Sequence, residues 1–132
     1  MHCLKNWIAL LALPLLLAGC SSSNEPDQVA KSFVEATYEG DVDELISLLA
    51  IPKDAESHQK DMVRGKMQMA VADKAAKASR NGGVDKIEIG QVDYNDDKSA
   101  ATVPVTVYFA NGEKNSGSTR LVKMDGDWKV RL

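Results

Sequence analysis

Between Ala101 and Phe109 the apolar side chains fall on every second residue. Ala101, Val103, Val105, Val107 and Phe109 hold one parity, while Thr102, Thr106 and Tyr108 hold the other. A period of two is the signature of a strand with one face in a core and one in water. Such a strand needs partner strands beside it and a layer over its apolar face. Pro104 lies on the polar parity and has no N–H to give a ladder, so the strand is predicted to be at an edge or locally bulged.

Partner strands follow from the flanking sequence. Val84 to Tyr94 carries Ile87, Ile89, Val92 and Tyr94, and its apolar parity switches between Ile89 and Val92. Gly90 sits at the switch and suggests a bulge. Asn111-Gly112 marks a turn. The last two strands flank Asp125-Gly126. A two-residue loop there would place Lys123 opposite Trp128. A three-residue loop with Gly126 left-handed would pair Val122 with Trp128 and Lys123 with Asp127. The second matches like with like and sets opposite charges together, so it is the expected one. It puts Val122, Trp128, Val130 and Leu132 on one face.

The covering layer comes earlier in the chain. Pro26 suits a first helical position, with Asn24 or Glu25 as cap. Val29, Phe33 and Ala36, with Ala30 and Tyr38 nearby, recur at roughly helical spacing, and Gly40 supplies the stop. Asp41 to Glu44 resembles a capping box, followed by Leu45, Ile46, Leu48 and Leu49, with Pro52 ending this second helix. A third helix is predicted from about Ser57 to Ser79, rich in Met, Ala and Lys. Arg80-Asn81-Gly82-Gly83 stops it. Val63, Met67, Ala70 and Lys74 form one stripe and Met62, Met69, Ala72 and Ala76 an adjacent one. Helices followed by antiparallel strands read as one α+β domain over residues 26–132, helices covering one sheet face.

Residues 1–25 do not belong to that pattern. Trp7 to Leu17 is a dense apolar block behind a short start carrying Lys5. It is too short to span a bilayer core, which needs about 20 residues, and it has the order of a secretory signal. The block ends in Leu17-Ala18-Gly19-Cys20, which resembles the lipobox of bacterial lipoproteins. The resemblance implies a signal peptide over 1–19, lipid attachment at Cys20 and a polar tether over 20–25. Acyl chains on Cys20 anchor a protein without a spanning helix. Ser21, rather than Asp, after the lipidated residue resembles the outer-membrane sorting signal of enteric lipoproteins. The implied location is the cell envelope, at the periplasmic face of the outer membrane.

A second resemblance covers nearly all of the mature chain. Pro26-Asp27-Gln28-Val29-Ala30-Lys31-Ser32-Phe33-Val34-Glu35-Ala36, then Gly40-Asp41, then Leu121-Val122-Lys123-Met124-Asp125-Gly126-Asp127-Trp128-Lys129-Val130 look like a family of small bacterial lipoproteins. That family has no assigned function and belongs to the nuclear transport factor 2-like, cystatin-like superfamily. The resemblance implies a curved antiparallel sheet wrapped around helices as a cone, often with a conical pocket.

Catalytic signatures are sparse. The superfamily includes isomerases and dehydratases that use a pocket Asp or His with Tyr or acidic hydrogen-bond donors. After Cys20 the chain has one histidine, His58, in the polar stretch Glu56 to Lys60, where it reads as a solvated surface residue. Tyr38, Tyr94 and Tyr108 have no acidic partner at suggestive spacing. Asp93 to Ser99 resembles a calcium loop at its first, third and fifth positions, but Lys98 stands where Gly is needed and Pro104 where the bidentate Glu belongs. A solvated turn fits better. No catalytic residue, cofactor site or metal site is assigned, and no cofactor is expected.

Charge is unevenly placed. The whole chain carries −3, which argues against a nucleic-acid partner. Lys5 contributes +1 before Cys20; Cys20 to Glu56 carries −7, Ser57 to Arg80 carries +4 and Asn81 to Leu132 carries −1. Either acidic and basic helices neutralise each other side by side, or Lys60, Arg64, Lys66, Lys74, Lys77 and Arg80 face an anionic partner. Met62, Met67 and Met69 read as core, with an adaptable apolar contact as the alternative. The functional expectation is a non-enzymatic, lipid-anchored envelope domain that binds a small apolar ligand or an envelope partner protein. The alternatives are an isomerase- or hydratase-type enzyme using the cone, and a structural or assembly lipoprotein. A cone filled by Phe33, Val105, Phe109 and Trp128 would count against the ligand.

Overall fold

The computed structural model describes residues 25–132. The expected signal segment 1–19, the expected lipid-attachment residue Cys20 and the part of the expected tether up to residue 24 lie outside the described residues. Three helices come first: α1 (Pro26–Glu39), α2 (Val42–Leu48) and α3 (Ser57–Arg80). Five strands follow: β1 (Val84–Ile89), β2 (Asp93–Tyr94), β3 (Ala100–Phe109), β4 (Lys114–Met124) and β5 (Asp127–Val130). The strands form a curled antiparallel sheet in the order β1-β3-β4-β5, with β2 also pairing β3, and the helices pack against it.

The helix ends are closed by local chemistry. Pro26 sits in the first turn of α1, where an N–H has no intrahelical partner to lose. Its C-terminus closes when the N–H groups of Gly40 and Asp41 both donate to Ala36 O at 3.0 Å. Asp41 caps α2, its Oδ1 accepting from Glu44 N–H at 3.0 Å. At α3 the cap is Glu56, reciprocated by Gln59, whose Oε1 accepts from Glu56 N–H at 3.2 Å.

The core lies between α1 and the concave sheet face. Val29, Ala30 and Ala36 of α1 meet Ala101, Val103, Val105, Val107 and Phe109 of β3, Leu121 of β4, and Trp128 and Val130 of β5. Leu45 and Leu49 close one end. Burying a side chain such as Leu45 or Leu121 contributes about 1.5–3 kcal/mol. The outer edge of β5 is covered by the exit from α2: Ala50 N–H donates to Val130 O at 2.8 Å, and Leu49 bridges Val130 in parallel.

Three local expectations are corrected. First, β3 is central rather than at an edge, and Pro104 fits there because its neighbour breaks. Gly90 N–H donates to Pro104 O at 2.8 Å. A strand residue turns its N and O to the same side, so the missing Pro104 donor faces the gap between β1 and β2. A Cβ on Gly90 would stand 3.0 Å from Pro104 Cβ, so glycine is what lets the two backbones meet. Second, the last hairpin has the two-residue loop: Lys123 pairs Trp128 and Met124 pairs Asp127. Asp125 and Gly126 have φ of 53° and 85°. Two left-handed residues match the twist of the flanking strands, and that preference outweighs side-chain matching. Leu121, not Val122, therefore joins Trp128 and Val130 inside, and Leu132 is 70% exposed. The Lys123 ammonium lies 5.6 Å from the Trp128 ring centroid, which makes the direct pair favourable. Third, of the α3 methionines only Met67 is buried; Met62 and Met69 are 49% and 75% exposed.

Candidate functional site

The described residues form several concave regions, among them shallow clefts of about 240 Å³ beside β2 and about 460 Å³ between α1 and β1, and the filled interior of the cone is none of them. Val105, Phe109 and Trp128 are buried in the core, with Phe33 half-buried against them. What remains on the concave side is an open groove of about 150 Å³ between α1 and the β3–β4 pair. Its walls include Phe33, Val34, Thr37 and Tyr38 from α1, Asn115, Gly117 and Thr119 from β4, and Lys74 from α3. Tyr38 packs edge-on to Phe109 at 5.9 Å and receives a long hydrogen bond from Asn115 Nδ2 at 3.5 Å.

The larger region is an open cleft of about 710 Å³ outside the cone, between α2, the α2–α3 connection and the terminal hairpin. Ile46, Leu49, Ile51 and Met124 form its floor, and Lys53, Lys60, Asp61, Arg64, Asp125, Asp127 and Lys129 ring it. Several of these are engaged locally. Arg64 Nη1 lies 3.0 Å from Asp43 Oδ1, tying basic α3 to acidic α2. Lys53 Nζ stands 3.9 Å from Asp125 Oδ2, and Lys129 Nζ donates to Ser47 O at 2.8 Å. The six basic residues of α3 do not gather into one patch. Lys60 and Arg64 line the cleft, whereas Lys74 lines the groove.

The remaining candidates sit at the surface. His58 is exposed in the first turn of α3. The Asp93–Ser99 stretch is a turn knit by its own side chains: Asp97 Oδ1 accepts from Ser99 N–H at 3.1 Å and from Ser99 Oγ at 2.6 Å. Those bonds hold the Asp97 carboxyl below its usual pKa. Among the described residues no group of three or more His, Cys, Asp or Glu is placed to hold a metal ion.

One pairing was hidden in the sequence. Tyr108 Oη donates to Glu88 Oε2 at 3.0 Å, and Lys86 Nζ stands 3.1 Å from Glu88 Oε1. The β1–β3 register, which pairs Lys86 with Tyr108 and Glu88 with Thr106, brings them together on the outer face. Hydrogen bonding from Lys86 and then Tyr108 lowers the Glu88 pKa. Glu88 in turn raises those of Lys86 and Tyr108. Glu88, Lys86 and Tyr108 lie on that solvated face, with Lys86 at the rim of a shallow cleft, and have the geometry of a surface cross-strand cluster.

The profile of the family described as Domain of unknown function (DUF4878) matches residues 18–131. The chain belongs to this family. A solved member of the fold, from Campylobacter jejuni and carrying the provisional name NTF2-like transpeptidase, is 34% identical to this DUF4878 chain. The match covers 82% of this chain and 98% of that one, with a TM-score of 0.75. The α+β cone expected from the sequence is thus shared with an NTF2-like protein. Remoter likenesses are the intermembrane space region of the chloroplast protein ARC6 and a Xanthomonas campestris protein provisionally named a calcium/calmodulin dependent protein kinase II association domain. The first is 13% identical, covers 80% of this chain and 89% of its own, and has a TM-score of 0.42. The second is 17% identical, covers 76% of each chain and has a TM-score of 0.38. No curated protein shows significant similarity to this DUF4878 chain.

Proposed function

We propose that this DUF4878 protein is a lipid-anchored domain of the cell envelope that binds a partner protein without catalysing a reaction on it. The observation that carries the reading is the filled cone. Ligand pockets for small apolar molecules usually occupy about 300–1,000 Å³ and enclose most of the ligand. The concave groove offers about 150 Å³ and is open. The open clefts of about 710 and 460 Å³ are both rimmed by charged side chains, Lys53, Arg64 and Asp125 at the first and Glu35, Asp85 and Lys86 at the second, which an apolar ligand would have to desolvate. Open, mixed-polarity surfaces of this kind suit a protein partner.

Catalytic readings find less support. An isomerase of the fold would need an acid or histidine in an apolar pocket. His58 is exposed, and no described carboxylate is buried. The transpeptidase named for the Campylobacter jejuni relative would need an activated Ser or Cys. The cysteines are Cys3 and Cys20, with Cys20 the residue assigned here to the anchor, and the described serine hydroxyls of Ser47, Ser99 and Ser116 bond Glu44 O, Asp97 and Thr106 rather than a histidine or lysine base. Attachment through Cys20 would hold the domain at the periplasmic face of the outer membrane.

The test has two arms in the native host. Labelling with an alkyne fatty acid should mark the wild-type chain and not Cys20→Ser, which should leave the membrane fraction. Crosslinking in intact cells should recover a defined envelope protein. Recovery of a stoichiometric small apolar molecule by native mass spectrometry, with no protein crosslink, would contradict the reading.

A further inference from the structure

On one side of β4 the sheet stops short. β3 pairs with β4 from Lys114 to Val122, but β5 pairs back only from Leu121 to Met124. The last link on that side is Arg131 N–H donating to Arg120 O at 2.9 Å. No described strand lies against Lys114 to Thr119 there. Lys123 fixes which way the backbone points, because its N–H donates across to Ser99 O at 2.8 Å. Alternation then turns the N–H and C=O groups of Ser116 and Ser118 away from β3. Lys114, Ser116, Gly117 and Ser118 are all exposed.

An open edge is a template for another strand unless charge, proline or a bulge guards it. The opposite edge, β1, is guarded: Asp85, Lys86 and Glu88 line it, and the register shifts between Val84 and Lys86. Between Lys114 and Arg120 the β4 edge has no charge and no proline. The open edge also runs beside the concave groove. Gly117 faces that groove without a side chain, and a Cβ there would meet nothing within 4 Å.

The geometry points to strand addition: an extended acidic segment of the partner protein pairs with the β4 edge from Lys114 to Thr119. Its inward side chains are apolar and enter the groove beside Phe33 and Val34. Its outward side chains are acidic. The charge of the strand selects this occupant. On its outward face β4 carries Lys114 and Arg120, and the strand has no acidic residue. A second copy of β4 would set like charges beside each other, which is destabilising. Main-chain bonds would give affinity and the alternate side chains specificity. The inference rests on the partner-binding reading above and names the surface and the chemistry.

The test uses the full-length protein in detergent micelles and three fluorescent octapeptides, read by anisotropy. They are an alternating Val–Glu peptide, its Val–Lys counterpart, and the Val–Glu peptide with alternate amides N-methylated. The Val–Glu peptide should bind, the Val–Lys peptide about tenfold more weakly, and the methylated one not measurably. Ser118→Pro removes an outward N–H and should weaken the Val–Glu peptide about tenfold. Gly117→Leu, which fills the groove and leaves the ladder intact, should weaken it too. Arg120→Glu with Lys114→Glu should reverse the preference between the two charged peptides. Equal binding of the Val–Lys or methylated peptide would overturn the inference, as would Ser118→Pro binding like wild type. So would self-association that Ser118→Pro abolishes, because the occupant would then be a second copy. If none of the peptides binds while a photocrosslinker at Lys53 captures an envelope protein in cells, strand addition fails and partner binding stands.

Discussion

The two ends of β4 are built from one continuous strand and behave as different structures. From Leu121 to Met124 the strand is flanked by β3 and β5, and Leu121 is 1% exposed. From Lys114 to Ser118 it has β3 alone, and its side chains are small or polar and mostly exposed. The inward parity continues through both ends, from Asn115 and Gly117 to Thr119 and Leu121. What changes is the neighbour: β5 with Trp128 overhead at one end, open groove at the other. Strand identity along a chain therefore does not decide whether a segment builds the core or presents an edge. The length of the next strand does.

That contrast can be broken at the covered end with the largest effect. Leu121→Ala should cost about 3 kcal/mol in urea unfolding, since its site is enclosed by packed neighbours, while Ser116→Ala should cost less than about 0.5 kcal/mol. Pro104 pairs Ser118 at the border between the two ends. Gly90→Val forces a side chain against the Pro104 ring and should cost about 2 kcal/mol. Adding Pro104→Ala should recover part of it in a double-mutant cycle. The turn that returns β5 onto the covered end is next: Gly126→Ala, at φ of 85°, should cost about 1 kcal/mol. Ser116→Pro should cost less than that, because its N–H is outside the ladder with β3.

The smallest expected effect is on the outer face. The lowered Glu88 pKa means that its contribution is present above the ordinary carboxylate pKa and is lost as pH falls through the folded value. The raised Lys86 and Tyr108 values work the other way, with their contribution lost as pH rises through the alkaline range. All three groups are solvated, so the slopes are shallow. Glu88→Gln should flatten the acid-side slope in a series of urea midpoints by lowering the neutral value slightly, while the midpoints below the folded Glu88 pKa stay nearly unchanged.

Much of this architecture is legible in the residues. Pro26 and Gly40 bracket α1, the double glycine after Arg80 stops α3, and the parity of Ala101 to Phe109 identifies the inner face of β3. The hairpin is less legible, because the twist preference of a two-residue turn competes with side-chain matching, and matching alone favours Val122 inside. Met62 and Met69 look like core in a stripe, yet α3 meets the rest of the domain on a narrow face around Met67. The Tyr108–Glu88 pair depends on a register that no local pattern specifies. The same is true of the candidate site. Ser116, Gly117 and Ser118 read as an unremarkable polar run until the pairing shows that β5 ends before reaching them.

Hydrogen exchange at single-residue resolution bears on the central claim most directly. In the full-length protein in detergent micelles, the Ser116 and Ser118 amides should exchange fast while Lys123 is protected, and adding the Val–Glu peptide should slow Ser116 and Ser118 selectively. Protection of Ser116 and Ser118 already present without peptide, or no change when the peptide is added, would contradict an open edge that receives a partner strand.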